Sequence, residues 1–281
     1  MPDIFSLFLE PLSYGLLLRG PVATVLIGVI CAVIGTFVVL KGLAFFGDAL
    51  AHVGFTGIVV AFISGFVCYL GALVAAIMAT LGIAAVSRRA GINLDTSISI
   101  FFSGVFTLGI VLMSVGIKTY TVDLFGNVLG TRTGDLIGIA GLGLLVLMTV
   151  LALYKELLFT SFDPVAAEAR GLPSGPLQML LLILLSVTAV VSVQAVGVVL
   201  VVAMLVTPSA TAYLLTDQFS WMMAYGAGFG ALAAVVGISL SYYLNVPPGG
   251  AIVLVATVLF LLTAISPRRG GWHRLIGSPA S

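Results

Sequence analysis

Asp48 and His52 stand four residues apart inside the apolar stretch FFGDALAHVGFTG, residues 45–57. His52 is one of only two histidines in the chain. On a helix, residues four apart share a face, so a carboxylate and an imidazole would converge on one point. Burying an ionised Asp near a bilayer centre costs about 2.5–3.5 kcal/mol on insertion scales, and something has to offset that cost. Three readings compete. In the first, Asp48 caps the start of a helix and His52 makes a buried hydrogen bond. In the second, the pair is a proton relay. A relay asks for further acids within the apolar runs, whereas Asp95, Asp123, Asp135, Asp163 and Asp217 all fall near the ends of such runs. In the third, carboxylate oxygen and imidazole nitrogen bind a dication such as Zn²⁺, Mn²⁺ or Fe²⁺. One Asp and one His are too few ligands, but two copies of the chain about a two-fold axis would bring four.

The elements that must position this pair are membrane helices. The 281 residues are 61% hydrophobic and 7% charged, whereas a soluble domain runs near about 25% charged. Mean hydropathy is +1.28. Apolar runs at roughly 21–40, 50–64, 66–86, 97–116, 136–154, 177–194, 197–214, 222–243 and 249–266 read as spans. The region 50–86 reads either as two short crossings parted near Ser64-Gly65 or as one bent helix, which gives nine or eight spans. The expected fold class is all-α, a polytopic membrane helix bundle of 8–9 transmembrane helices in a single domain over 1–281.

Counting basic residues orients the bundle. Nine spans with the 155–176 connection inside place Lys41, Arg88, Arg89, Lys155, Arg170, Arg268, Arg269 and Arg274 in the cytoplasm. Arg19, Lys118 and Arg132 fall outside. This puts the N-terminus outside and the C-terminus inside. No cleavable signal peptide is evident, because Asp3 and Glu10 stand where such a leader wants Lys or Arg. The net charge of +1 and the absence of a basic run give no footprint for nucleic acid. Cys31 and Cys68 sit in apolar segments and read as packed thiols.

Two connections are long. Residues 117–135 mix polar residues with Leu124, Phe125 and Val128, as a surface loop or an interfacial, re-entrant segment would. Residues 155–176 carry a capped helix over about 163–171. Asp163 is a good N-cap and Pro164 fits the first helical position. Gly171 can end the helix and Pro173 cannot continue it. Small residues four apart, Gly47/Ala51, Gly134/Gly138 and Gly226/Gly230, suit close helix packing. The tail from about 267 to 281 is polar, and His273 within it reads as solvated.

Several of these segments together resemble one family. GDALAHVGFTG is similar to the signature of the permease subunits of ATP-binding-cassette importers for zinc, manganese and iron. VGVVLVVAMLVTPSATAYLL (196–215), DLFGNVLG (123–130), DPVAAEARGL (163–172) and VPPGGAIVLVA (246–256) match the same family in kind and order. The resemblance implies a type II ABC importer-like permease in the cytoplasmic (inner) membrane, paired with a second permease copy. It also implies a cytoplasmic ATP-binding subunit and an extracytoplasmic metal-binding solute-binding protein as partners. By resemblance, Asp48 and His52 contact the transported ion. The helix 163–171, with Asp163, Pro164, Glu168, Arg170 and Gly171, is the element that couples to the ATPase. Thr207-Pro208 lies inside a span, where Pro frees a carbonyl and kinks the helix; a gating hinge and a static packing kink both fit. No permanently bound cofactor is implied, only the transported Zn, Mn or Fe.

The chain itself reads as no enzyme. GIKT at 116–119 lacks the Gly that a phosphate-binding loop places upstream. Two other classes stay open: a secondary cation transporter working without an ATPase, and an importer permease for siderophores or cobalamin. In the latter case Asp48 and His52 should tolerate replacement by Ala.

Overall fold

The computed structural model describes residues 19–116 and 133–265, and all regular structure among them is helical. The long spans are α1 (Arg19–Lys41), α2 (Ala44–Ile63), α3 (Cys68–Ala90), α4 (Leu94–Gly116) and α5 (Thr133–Ala152). Two short helices follow, α6 (Tyr154–Phe162) and α7 (Pro164–Ala169). The chain then runs through α8 (Ser174–Val196), α9 (Val198–Leu215), α10 (Phe219–Leu244) and α11 (Pro248–Ile265). Eight of these are long and apolar enough to cross a membrane unaided, and α5 with the bent α6 brings the number to nine. The region 50–86 is two helices, parted by a turn over Ser64–Val67. The ambiguity between eight and nine therefore belongs to α5 and α6, which meet at a 70° bend. Residues 155–162, expected as part of a connection, form with Tyr154 a helix of their own. The DLFGNVLG segment, the tail 267–281, His273 and the C-terminal arginines lie outside the described residues.

α1, α2 and α8 form the centre, each with about two thirds or more of its apolar window buried, whereas α4 and α11 bury 17% of theirs. Side chains on the outer helices face where lipid would lie, so apolarity all round is what their position demands. Between the inner helices there is no hydrophobic force in lipid, and close approach of small residues takes its place. At the crossing of α1 and α10, a Cβ on Gly28 would stand 2.9 Å from the Gly230 carbonyl oxygen, closer than any real side chain comes. Gly230 thus fulfils its expected packing role, with Gly28 as its partner. A Cβ on Gly134 would meet nothing within 4 Å and one on Gly138 only the Tyr69 hydroxyl at 3.9 Å, so that pair is not a close crossing.

The basic ends of the spans gather on one face. The Phe37 ring of α1 meets Phe219 of α10 edge-on at 4.8 Å, and Tyr154 of α6 donates to or accepts from Ser220 at 2.8 Å. Arg88, in the last turn of α3, donates through Nη2 to the Gly175 carbonyl at the start of α8, 3.0 Å away. The face that carries α6 and α7 is therefore also the face of Lys41, Arg88 and Arg89. Cys31 is buried and Cys68 half-buried, both as free thiols.

Candidate functional site

α2 begins where a tight turn leaves α1. Gly42 takes φ +68, a left-handed conformation that glycine adopts without a Cβ penalty. Its N–H bonds the Val39 carbonyl (3.3 Å) and the Leu43 N–H bonds the Val38 carbonyl (2.9 Å). This pair of reversed bonds is a Schellman ending. Leu43 then flanks the first residue of α2 with no side-chain cap. Asp48 is thus the fifth residue of α2, not its cap, and the capping reading fails because three apolar residues and Gly47 already precede it within the helix.

Both site residues are helical, so the four-residue spacing brings them together as expected. Asp48 Oδ1 lies 3.6 Å from His52 Nε2, with the two side chains 34% and 28% exposed. This distance is within ion-pair range and longer than a good hydrogen bond. Asp48 makes no hydrogen bond among the described residues, and His52 Nδ1 is buried without one. The buried hydrogen bond expected of His52 under the structural reading is therefore missing. Among the described residues, the carboxylate has one half-buried imidazole within ion-pair distance to offset it.

Apart from the Asp48 contact, the imidazole is held by aromatic rings and makes no hydrogen bond. Phe106 of α4 meets it edge to face with centroids 5.0 Å apart, and Phe102 lies 5.4 Å away, stacked on Phe106. Phe45 of α2 closes against Phe102 at 5.9 Å. One turn further on, Thr56 Oγ1 donates to the Val105 carbonyl at 2.9 Å and ties α2 to α4. On the other side, a Cβ on Gly47 would collide with the Leu205 side chain, near the middle of α9. Phe102 and Phe106 were not singled out in the sequence. Their i, i+4 spacing within one span was the available signal, and any apolar run of this composition produces such pairs.

Among the described residues, no three His, Cys, Asp or Glu side chains come together. First-row dications usually take four or more ligands. Asp48 and His52 thus pair one carboxylate oxygen with one imidazole nitrogen, and no third such side chain joins them among the described residues.

The second cluster sits on the face described above. Asp163 ends α6 and caps α7, its Oδ1 accepting from the Ala166 N–H at 2.9 Å, and Pro164 is the first residue of α7. Gly171 takes φ +79; its N–H bonds the Glu168 carbonyl (2.9 Å), and the Leu172 N–H bonds that of Ala167 (3.0 Å). Ser174 donates to the Glu168 carboxylate, and the Arg170 guanidinium lies 4.7 Å above the Phe159 ring. Around this rigid turn Phe162 and Val165 are 63% and 77% exposed. α7 packs on α6 and α8, and α8 in turn packs on α2. One helix thus touches both the capped turn and the element that carries Asp48.

Thr207 and Pro208 lie inside α9. Pro208 removes the N–H that would reach Met204. The next residue, Ser209, donates to the Ala32 carbonyl of α1 at 2.8 Å, and Thr211 Oγ1 donates to the Thr207 carbonyl at 2.8 Å.

The sequence model of the ABC 3 transport family matches residues 13–266, nearly the whole chain. The chain belongs to the ABC 3 transport family. Among its relatives, "Manganese transport system membrane protein MntC" of Halalkalibacterium halodurans is 42% identical over 275 residues, covering 96% of this chain and 94% of the relative. "Probable iron transport system membrane protein" of Haemophilus influenzae is 36% identical over 270 residues, covering 95% and 96%. The solved structure of PsaBC from Streptococcus pneumoniae in complex with Fab superposes with a TM-score of 0.85 at 33% identity, covering 98% of this chain and 100% of that one. Membership of the ABC 3 transport family, together with eight membrane-length apolar helices, makes the chain a multi-pass protein of the inner membrane with the fold of an ABC importer permease.

Proposed function

We propose that the chain is the membrane permease subunit of an ATP-driven importer of a divalent transition metal ion, with manganese as the first candidate and iron and zinc as the others. The observation that carries this reading is Asp48, a half-buried carboxylate among membrane helices whose one ion-pair partner among the described residues is His52. A dication between the two would offset the charge of the acid and use the imidazole as a ligand. The relatives named above are manganese and iron transport proteins, and the donor set suits either metal.

Two donors per chain are completed by a second copy about a two-fold axis, which supplies two more. A four-ligand site with positions left to water holds the ion and still releases it. The partner on the cytoplasmic face is an ATP-binding subunit, seated over Phe162 and Val165 beside the capped turn of α7. Closure of the ATPase on that turn pushes α8, and α8 bears on α2, so that the side on which Asp48 and His52 are open changes. A metal-loaded binding protein docks on the opposite face. Hydrolysis belongs to the partner. Pro208 is a fixed point of α9 in this reading, because Ser209 is bonded across to α1 immediately after it.

Metal accumulation tests the proposal in cells lacking their own high-affinity importers, with the chain expressed beside its ATPase and binding protein. Uptake of Mn, Fe or Zn lost in both Asp48→Ala and His52→Ala, at matched membrane amounts, is the expected outcome. Uptake unchanged in both would overturn it and favour a metal-chelate substrate. Uptake insensitive to loss of the ATPase would make the chain a secondary transporter.

A further inference from the structure

Where α3 ends and α8 begins, Ser87, Arg88 and Gln178 rim a half-open cavity of about 110 Å³, and Leu94, Met179 and Leu182 line its floor. That volume corresponds to about four waters at about 30 Å³ each. The Arg88 side chain is exposed but anchored by one hydrogen bond. It bonds the Gly175 carbonyl at 3.0 Å and lies flat on that residue, so that a Cβ there would stand 3.2 Å from Nη2. One carbonyl uses one of its five N–H donors. No carboxylate lies within ion-pair distance of it among the described residues: Glu168 is engaged by Ser174, and Asp95 on α4 makes no ion pair. The Gln178 amide makes no hydrogen bond among the described residues, while Ser87 is committed to the Ile92 carbonyl.

The cavity lies at the end of a membrane-length helix, where a span of that length would reach the headgroups. Arg88 and Arg89 occupy the last turn of a 23-residue membrane helix, and α4 and α8 start beside them. Basic pockets between helices at this depth, on the cytoplasmic side, take anionic headgroups. We infer that this cavity binds the phosphate of an anionic phospholipid, with Arg88 and the Gln178 amide on its oxygens and the glycerol and first methylenes over Leu94, Met179 and Leu182. Arg89, exposed next to it, adds charge without contact. The chemistry recognised is a phosphodiester monoanion, and the apolar floor separates a lipid source from free phosphate.

The test is native mass spectrometry of the assembled permease–ATPase complex, offered phosphatidylglycerol, phosphatidylcholine or inorganic phosphate. Phosphatidylglycerol should be retained over phosphatidylcholine, and Arg88→Gln should lower that preference about five-fold. Gln178→Leu, which keeps the Gly175 contact, should lower it as well and carries the test if the Arg88 variant does not assemble. Equal retention of the two lipids, or of phosphatidylglycerol by wild type and both variants, would overturn the inference. So would displacement of the lipid by millimolar inorganic phosphate, which would mark a free-anion site. Loss of the ATPase from Arg88→Gln with lipid retention unchanged would reassign the cavity to the protein partner and overturn it too.

Discussion

The ring of His52 rests edge to face on Phe106, with centroids 5.0 Å apart, and no hydrogen bond to Nδ1 shares the task of holding it. The orientation of the imidazole toward Asp48 therefore depends on an aromatic wall. An edge-to-face pair contributes about 0.5–1.5 kcal/mol beyond burial. Phe106→Ala should lower metal uptake by a factor of roughly 2 to 10 at equal membrane amounts, and Phe106→Tyr should retain most of it. Uptake assays at several metal concentrations check this, and an unchanged rate in Phe106→Ala would remove the wall from the site.

Gly28 and Gly230 set the distance between α1 and α10. Gly28→Val places a branched side chain against backbone, which cannot yield as a flexible side chain does. Overpacking of this kind costs about 1–3 kcal/mol. The variant should accumulate less in the membrane and unfold at lower temperature in detergent. Gly134→Val, at a position where a Cβ meets nothing within 4 Å, should behave as wild type. Thermal unfolding of both variants compares the two sites directly.

Asp163 closes α7 through the Ala166 N–H. Removing such a cap costs about 0.5–2 kcal/mol. Asp163→Ala should leave the bundle folded and lower both co-purification of the ATPase and transport. Asp163→Asn, which keeps a capping oxygen, should restore both. Rescue by Asn separates a capping role from one that needs the charge.

Pro208 lies between bonds that fix its surroundings, since Ser209 is tied to Ala32 and Leu205 packs where Gly35 has no side chain. Pro208→Ala should therefore retain assembly and change uptake less than Asp48→Ala does. A transport defect as deep as that of Asp48→Ala, with ATP hydrolysis intact, would make this point of α9 a moving part.

The sequence carried the broad plan because apolar length and charge are what a bilayer selects. Nine apolar runs correspond to nine long helices among the described residues, and Asp163, Pro164 and Gly171 bounded a short helix by the same local chemistry read from their types. The start of α2 was not legible. It is set by the turn at Gly42 and by apolar residues without a capping side chain, so Asp48 looked like a boundary while lying a turn inside. Phe102 and Phe106 were invisible for a related reason. In a helix apolar all round, periodicity does not say which face meets α2. The helical state of 155–162 escaped because its helix is short, polar in part and broken from α5 by a bend.

The most direct measurement is the pulsed electron paramagnetic resonance spectrum of Mn²⁺ bound to the purified permease–ATPase complex, with the binding protein left out. Modulation from an imidazole nitrogen in wild type, absent in His52→Ala, with Mn²⁺ affinity reduced in Asp48→Ala, is the expected result. Mn²⁺ bound equally by all three forms, or without nitrogen modulation in wild type, would contradict the assignment of Asp48 and His52 to the ion.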